Sequence, residues 1–203
     1  REALNHSSQR DSGAYHTDFR LALHLANSVE CHLREGIKVI DPACGAGMLL
    51  TAVSIVACGP DRILSSEWLR NSVYAADLSP KALRGTRIAL AALTDDLETI
   101  IAMDSNWRVH DSLLAPDSCW QELSEDGFDV VIANPPWEKV KLTRHEYVKA
   151  NGESRDYGTS YHLQSLAGYE TAKTRRSAFA GSLAERYPLL AKGEPDLYVA
   201  FTE

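Results

Sequence analysis

The stretch Ile37-Lys38-Val39-Ile40-Asp41-Pro42-Ala43-Cys44-Gly45-Ala46-Gly47 passes from an apolar run into a glycine-bearing turn. The run Ile37–Val39–Ile40 predicts a short strand buried on both faces and ended by Asp41. Pro42–Gly47 supplies the turn, and Met48–Cys58 continues at helical spacing. Strand, glycine turn and helix in this order begin a βαβ unit.

The same alternation extends outward. Upstream, Phe19, Leu21, Ala22, Leu25, Ala26 and Val29 recur at helical spacing behind Asp18, a candidate N-cap. Arg1–Ser12 is polar and without periodicity, as a loop or the stub of an earlier segment would be. Downstream, Ser72–Ala76 reads as a second strand closed by Asp77, and Ser79-Pro80 opens a helix over Pro80–Leu93. A weaker strand near Trp107–His110 precedes Asp111. The clearest strand, Phe128–Ala133, runs into Asn134-Pro135-Pro136-Trp137. Strands separated by helices predict an α/β fold with a doubly wound, mostly parallel sheet. Past Trp137, helices are expected over Thr143–Ala150, Ser160–Lys173 and Ser177–Leu190, a polar loop over Asn151–Gly158, and the start of a further helix over Pro195–Glu203. The domain expectation is a stub over 1–12, a core over 13–137, and a helical and loop extension of the same domain over 138–203.

Composition excludes several classes. The chain has 44% hydrophobic and 24% charged residues, as ordinary globular proteins do. No apolar run reaches the roughly 18–20 residues of a membrane-spanning helix, and no signal-peptide pattern opens it. Cys31, Cys44, Cys58 and Cys119 form no CxxC pair or Cys/His cluster, so neither a metal site nor a disulfide framework is expected, and a reducing cytoplasm is. The net charge of −7 disfavours a nucleic-acid partner on its own. Between Trp137 and Lys192, however, ten Lys/Arg face six Asp/Glu, a local excess of +4. Such a segment can touch phosphates or be a solvated helical face.

Ligands of a doubly wound sheet bind beyond the carboxyl ends of its strands. Asp41 with its turn, Asp77, Asp111 and Asn134–Trp137 all fall at such ends. Gly45 and Gly47 let backbone approach a ligand, and the next helix N-terminus favours an anion; a tight turn without a ligand looks similar. The spacing is neither GxGxxG nor a lysine-bearing phosphate loop. Asp77 stands where an acid accepts from ribose hydroxyls, or caps a helix. Asp111 can serve a ligand or pair with Arg108 and His110. In Asn134–Trp137 two prolines remove backbone donors, so the Asn134 side-chain carbonyl and the Pro135 carbonyl suit an amino group, while Trp137 offers a flat face for a base. The alternative is a rigid turn with a packed tryptophan.

These motifs resemble those of the N6-adenine DNA methyltransferases of restriction-modification and phage-defence systems. Asp41–Gly47 is similar to their DPACGSG cofactor motif, with Ala46 for serine, and Asn134–Trp137 to their NPP(Y/F/W) catalytic motif. Gly13-Ala14-Tyr15-His16-Thr17-Asp18 resembles a degenerate G-x-(F/Y)-Y-T-P segment, in the order called gamma, and Asp196–Phe201 resembles a downstream DLYxxF stretch. His16 and Asp18 depart from the family's Tyr and Pro. The resemblance implies a Rossmann-like methyltransferase fold, S-adenosylmethionine as cofactor and duplex DNA with a flipped adenine as partner. It places Thr17, Asp41, Ala43, Cys44 and Gly45 at the methionine end, Asp77 at the ribose, and Asp111, Leu78 and Leu113 at the adenine ring, with Tyr15 and Gly47 also among the cofactor-binding residues. Asn134, Pro135, Pro136 and Trp137 are the implied catalytic group, and no metal is implied. It also implies that the final strands and a target-recognition domain or specificity subunit lie outside this chain. An rRNA guanine-N2 enzyme, a glutamine methyltransferase and a non-catalytic methyltransferase-like module remain the alternatives.

Overall fold

The structure, a computed structural model, describes residues 17–137, 139–140, 142–150, 166, 168–190 and 196–203. One compact unit spans His16–Asn134, and the residues from Pro135 onward belong to a second. In chain order the first unit contains α1 (Phe19–Ser28), β1 (Val39–Asp41), α2 (Met48–Cys58), α3 (Arg62–Asn71), β2 (Val73–Asp77), α4 (Pro80–Ala91), α5 (Leu97–Ala102), β3 (Trp107–Val109), α6 (Asp117–Leu123) and β4 (Val130–Val131).

Side chains of a strand alternate between faces, and here the alternation feeds two cores. Val39, Val73 and Ala75 join one cluster with Ala22 and Ala26 of α1, Leu50 and Val53 of α2, Leu69 of α3 and Leu90 of α4. Ile40 and Tyr74 point into the other, with Leu123 of α6, Trp120 and Phe128. Helices therefore cover both faces, and β1 is buried throughout, its terminal Asp41 included. The helix starts follow local chemistry. Asp18 accepts from the Arg20 N–H, Asp61 from Ile63 and Leu64, Ser79 from Ala82 with Pro80 just behind it, and Asp96 from Glu98.

The strands lie in the order β3-β2-β1-β4, all pairs parallel. Asp41 stands opposite Ala75, and Asp77 opposite Val109, so the carboxyl ends share one edge of the sheet. After β1 the chain builds outward through β2 and β3, then returns to place β4 on the other side of β1. The sheet thus reverses its winding at β1, and a crevice at the carboxyl end of that strand is where such folds take ligands.

Some boundaries differ from those expected. The β4 ladder covers Val130–Val131 rather than Phe128–Ala133, although Ile132 still donates to the Ile40 carbonyl. Its partner β1 is only three residues long, so a six-residue ladder cannot form on it. α3, α5 and α6 have no counterpart in the sequence expectations. Their buried faces are sparse: α3 buries Ser65, Trp68 and Leu69, α5 only Thr99, and α6 only Leu123.

The second unit holds α7 (Arg144–Ala150), α8 (Tyr169–Arg186) and α9 (Leu197–Thr202). A single helix, α8, runs where two were expected, because the polar run Thr174-Arg175-Arg176 lies within it without a proline or glycine to stop it. The loop expected over Asn151–Gly158, and the N-terminal stub, fall outside the described residues. Part of the positive segment is used internally. Arg176 donates to the carbonyls of Val140 and Lys139, and Arg144 and Lys173 sit over the Tyr169 ring. Among the described residues no helix is long and apolar enough to cross a membrane.

Candidate functional site

Asp41 ends β1 with 1% of its surface exposed. Its Oδ1 accepts the Ala43 N–H at 3.0 Å, which bends the chain into the turn. Burial is the main reason its pKa is raised from 3.8 to about 7; the nearby Asp77 carboxylate pushes the same way, and the Ala43 bond opposes both. A buried carboxyl beside another carboxylate is complemented by a ligand carrying a cation, such as an ammonium group.

The turn is fastened from several directions. The Cys44 N–H donates to the Ala76 carbonyl at 3.1 Å, and the Gly47 N–H to the Cys44 carbonyl at 2.8 Å. The Gly45 N–H donates to Asp77 Oδ2 at 2.9 Å, while Asp77 Oδ1 accepts the Ser79 N–H at 2.8 Å. A ligand that uses the Ala43, Cys44 or Gly45 donors must therefore displace internal bonds. Each Asp77 carboxylate oxygen has two lone pairs, so each can accept a further donor. Leu78 beside it is 70% exposed, an apolar surface at the strand end. Burial pushes the Cys44 thiol up and the Cys58 thiol to about 11, so both stay protonated at neutral pH.

Gly45 and Gly47 both have positive φ, +53° and +78°. They differ in surroundings. A Cβ on Gly47 would come within 2.9 Å of the Thr86 Cα, whereas one on Gly45 would meet nothing within 4 Å. Gly47→Ala is accordingly expected to destabilise the protein by about 2–5 kcal/mol, from overpacking plus left-handed strain. Gly45→Ala should cost only about 1–2 kcal/mol, the strain alone. Urea unfolding of the two variants checks this, and equal losses would refute close approach as the reason for Gly47.

The third strand end joins the same edge. The His110 N–H donates to the Asp77 carbonyl, and the Ser112 hydroxyl to the Pro42 carbonyl. Asp111 Oδ1 accepts from the Leu113 and Leu114 N–H groups, at 3.0 and 3.3 Å. It therefore closes a turn, while the Arg108 guanidinium turns away to the Ser105 and Trp107 carbonyls. Leu113 is buried. Burial chiefly, aided by Arg108 and opposed by Asp111, holds the His110 pKa below the ordinary value for histidine.

At the fourth end, Asn134 Nδ2 donates to Thr17 Oγ1 at 3.1 Å, bringing together two candidate residues 117 positions apart. With the amide nitrogen committed to Thr17, the other branch of the group is a carbonyl acceptor. Pro135, Pro136 and Trp137 follow in sequence and belong to the second unit. The two prolines are half-buried there. Trp137 is 65% exposed, its ring centroid 5.4 Å from that of Tyr198. Tyr15 lies outside the described residues.

Sequence reasoning missed Thr86. It is fully buried in α4 and donates to the Gly45 carbonyl at 3.0 Å. The available signal was Gly85-Thr86 inside an otherwise regular helix, since an interior glycine there often marks a close approach. Among the described residues no group of three or more His, Cys, Asp or Glu could hold a metal ion.

A family model described as N-6 DNA methylase matches residues 2–167. Among solved structures, a chain of the DrdV–DNA complex determined by cryo-electron microscopy is similar over 89% of this chain, with 14% identity and a TM-score of 0.52. This chain covers 20% of that one, about a fifth of its length. No curated protein matches the chain. The structural likeness extends to the fold, a Rossmann-like arrangement of parallel strands with helices on both faces. Since the family model spans most of the chain and both the glycine turn and Asn134-Pro135-Pro136 lie within it, the chain belongs to the N-6 DNA methylase family.

Proposed function

We propose that this chain carries the methyl-transfer chemistry of an S-adenosylmethionine-dependent DNA methyltransferase acting on N6 of adenine, within a restriction-modification or phage-defence system. The observation that carries the proposal is the Asn134–Thr17 hydrogen bond at the edge of the sheet where Asp41 and Asp77 also end. An amide acceptor and a buried acid on one sheet edge suit an amino-group substrate and a cationic cofactor.

The bound cofactor supplies an electrophilic methyl group on a sulfonium. Asp41, with Thr17 and the turn Ala43–Gly45, holds its methionine end, Asp41 taking the ammonium. The start of α2 favours the carboxylate. Asp77 accepts from the ribose hydroxyls through lone pairs that its bonds to Gly45 and Ser79 leave open. Leu78, Asp111 and Leu113 serve the adenine moiety, Leu78 by its exposed apolar surface. Tyr15 belongs to the same group by its place in the sequence motif.

The target adenine must leave the duplex, at a cost of a few kcal/mol. Stacking on the exposed Trp137 offsets part of that, with about 1–3 kcal/mol typical per base. The Asn134 side-chain carbonyl and the Pro135 carbonyl accept the N6 hydrogens and leave the nitrogen lone pair available for attack. Pro135 and Pro136 stiffen the segment that presents them. Alignment and oriented dipoles lower the barrier, without a strong base. In the proposed arrangement the chain is a catalytic core, and sequence recognition comes from a target-recognition domain or specificity subunit.

Asp77→Ala tests the cofactor assignment. Losing hydrogen bonds to a charged acceptor should weaken S-adenosylmethionine binding about 10- to 100-fold in calorimetric titration. An unaltered titration would remove Asp77 from the ribose site. A panel of S-adenosylmethionine, NAD and ATP should show binding of the first alone.

A further inference from the structure

We propose that Thr86 is a positioning residue for the methyl-donor site, acting through the Gly45 peptide unit; the proposal rests on the methyl-donor role assigned above to the glycine turn. Thr86 lies in the middle of α4 with no exposed surface. A threonine inside a helix ordinarily returns its hydroxyl to the carbonyl four residues back, as Thr51 does on Gly47. Thr86 instead donates to a different segment, the Gly45 carbonyl, at 3.0 Å, and lies 3.4 Å from the Cys44 sulfur.

The opposite side of the same residue is also held, since the Gly45 N–H donates to Asp77 Oδ2 at 2.9 Å. Gly45 is thus gripped at its donor by the end of β2 and at its acceptor by α4. Two further contacts fix the helix against the turn. Gly47 packs on Thr86 so closely that a Cβ would lie 2.8 Å from the Thr86 methyl carbon. At Gly85, α4 also faces Ala46, where a Cβ would rest in ordinary van der Waals contact, 3.6 Å from the Ala46 Cα.

A turn with two glycines at positive φ has many conformations open to it when unrestrained. Freezing one of them before ligand arrives removes an ordering cost that binding would otherwise bear. The Thr86 hydroxyl therefore acts on affinity without touching the ligand. The effect separates from packing, because valine keeps the shape of threonine and serine keeps its hydroxyl.

The test combines S-adenosylmethionine titration, amide hydrogen exchange of ligand-free protein read at Gly45, and urea unfolding. Thr86→Val should weaken binding about fivefold to tenfold and speed Gly45 exchange by a similar factor. Thr86→Ser should restore both, even where its lost methyl lowers the unfolding midpoint. Wild-type affinity and Gly45 protection in Thr86→Val would overturn the proposal. Should the valine variant not fold, Thr86→Ser and Thr86→Ala differ by the hydroxyl alone, and equal affinities in that pair would overturn it equally. Absence of binding by the wild-type chain would instead refute the methyl-donor assignment. Gly45 exchange would still report whether Thr86 holds the turn.

Discussion

Asn134→Ala should lower methyl transfer to duplex DNA by roughly 10²–10³-fold, the loss typical when one oriented polar group at a reacting centre is removed. Cofactor binding should persist, because Asp41, Asp77 and the glycine turn are fastened by bonds that do not involve Asn134. The substitution deletes both halves of the amide. The acceptor proposed for the N6 hydrogens goes, and so does the donor that ties the segment to Thr17 at 3.1 Å. Single-turnover transfer of labelled methyl, beside a calorimetric titration, separates the two effects. An unchanged transfer rate would end the case for Asn134 as a catalytic residue. If transfer and cofactor affinity fell in parallel, the role of Asn134 would be to support Thr17 rather than to meet the base.

The second large effect is a dependence of stability on pH carried by Asp41. The ordinary value for its carboxyl is 3.8, and burial in the folded protein raises it to about 7. Between these values the folded state keeps a proton that the unfolded state has lost, so stability falls as pH rises through that window. Below about pH 4 the contribution is complete, and above about pH 7 it is gone. The span corresponds to at most roughly 4 kcal/mol. Asp41→Asn removes the titration but keeps an oxygen to accept the Ala43 N–H. Ligand-free Asp41→Asn should therefore gain on the wild type steadily from pH 4 to 7 in urea unfolding, and be the more stable protein at pH 8. Parallel pH profiles for the two proteins would show that ionising Asp41 costs nothing. An ammonium group arriving beside Asp41 lowers its pKa again, so cofactor binding near pH 6 should release up to one proton in the wild type and none from this site in Asp41→Asn.

What could be read from sequence tracks how local the controlling physics is. The glycine turn, its strand and the capped start of α4 are set by neighbours along the chain, and the structure reproduces them. The four strand ends meet at one edge because parallel winding leaves no other arrangement. α3, by contrast, owes its place to contacts made elsewhere. Arg70 reaches Asp96 and Thr99, and the Trp68 indole donates to Ser54, neither of which leaves a periodic trace in the sequence. Thr86 was illegible for a related reason. Its partner Gly45 is 41 positions away, and a buried threonine in a helix reads as core until the turn is seen against it. Asp111 shows the limit in the other direction. Its place at a strand end was legible, but its use of Oδ1 to close the turn through Leu113 and Leu114 depends on where the chain goes next.

The hydrogen bond between Thr17 and Asn134 also sets a schedule. Its partners stand at the two ends of their unit, 117 residues apart, with the remaining strand ends between them. On a ribosome adding 5–20 residues per second, roughly 6–23 s separate the synthesis of one partner from that of the other. For most of that interval β1 is made but β4 is not, so one side of the central strand stays open and Asn134 is absent. The growing chain can begin to shape its glycine turn early. It gains the Asn134 amide only as the last residue of the unit is added, so the hydrogen bond to Thr17 cannot form before the sheet that supports it.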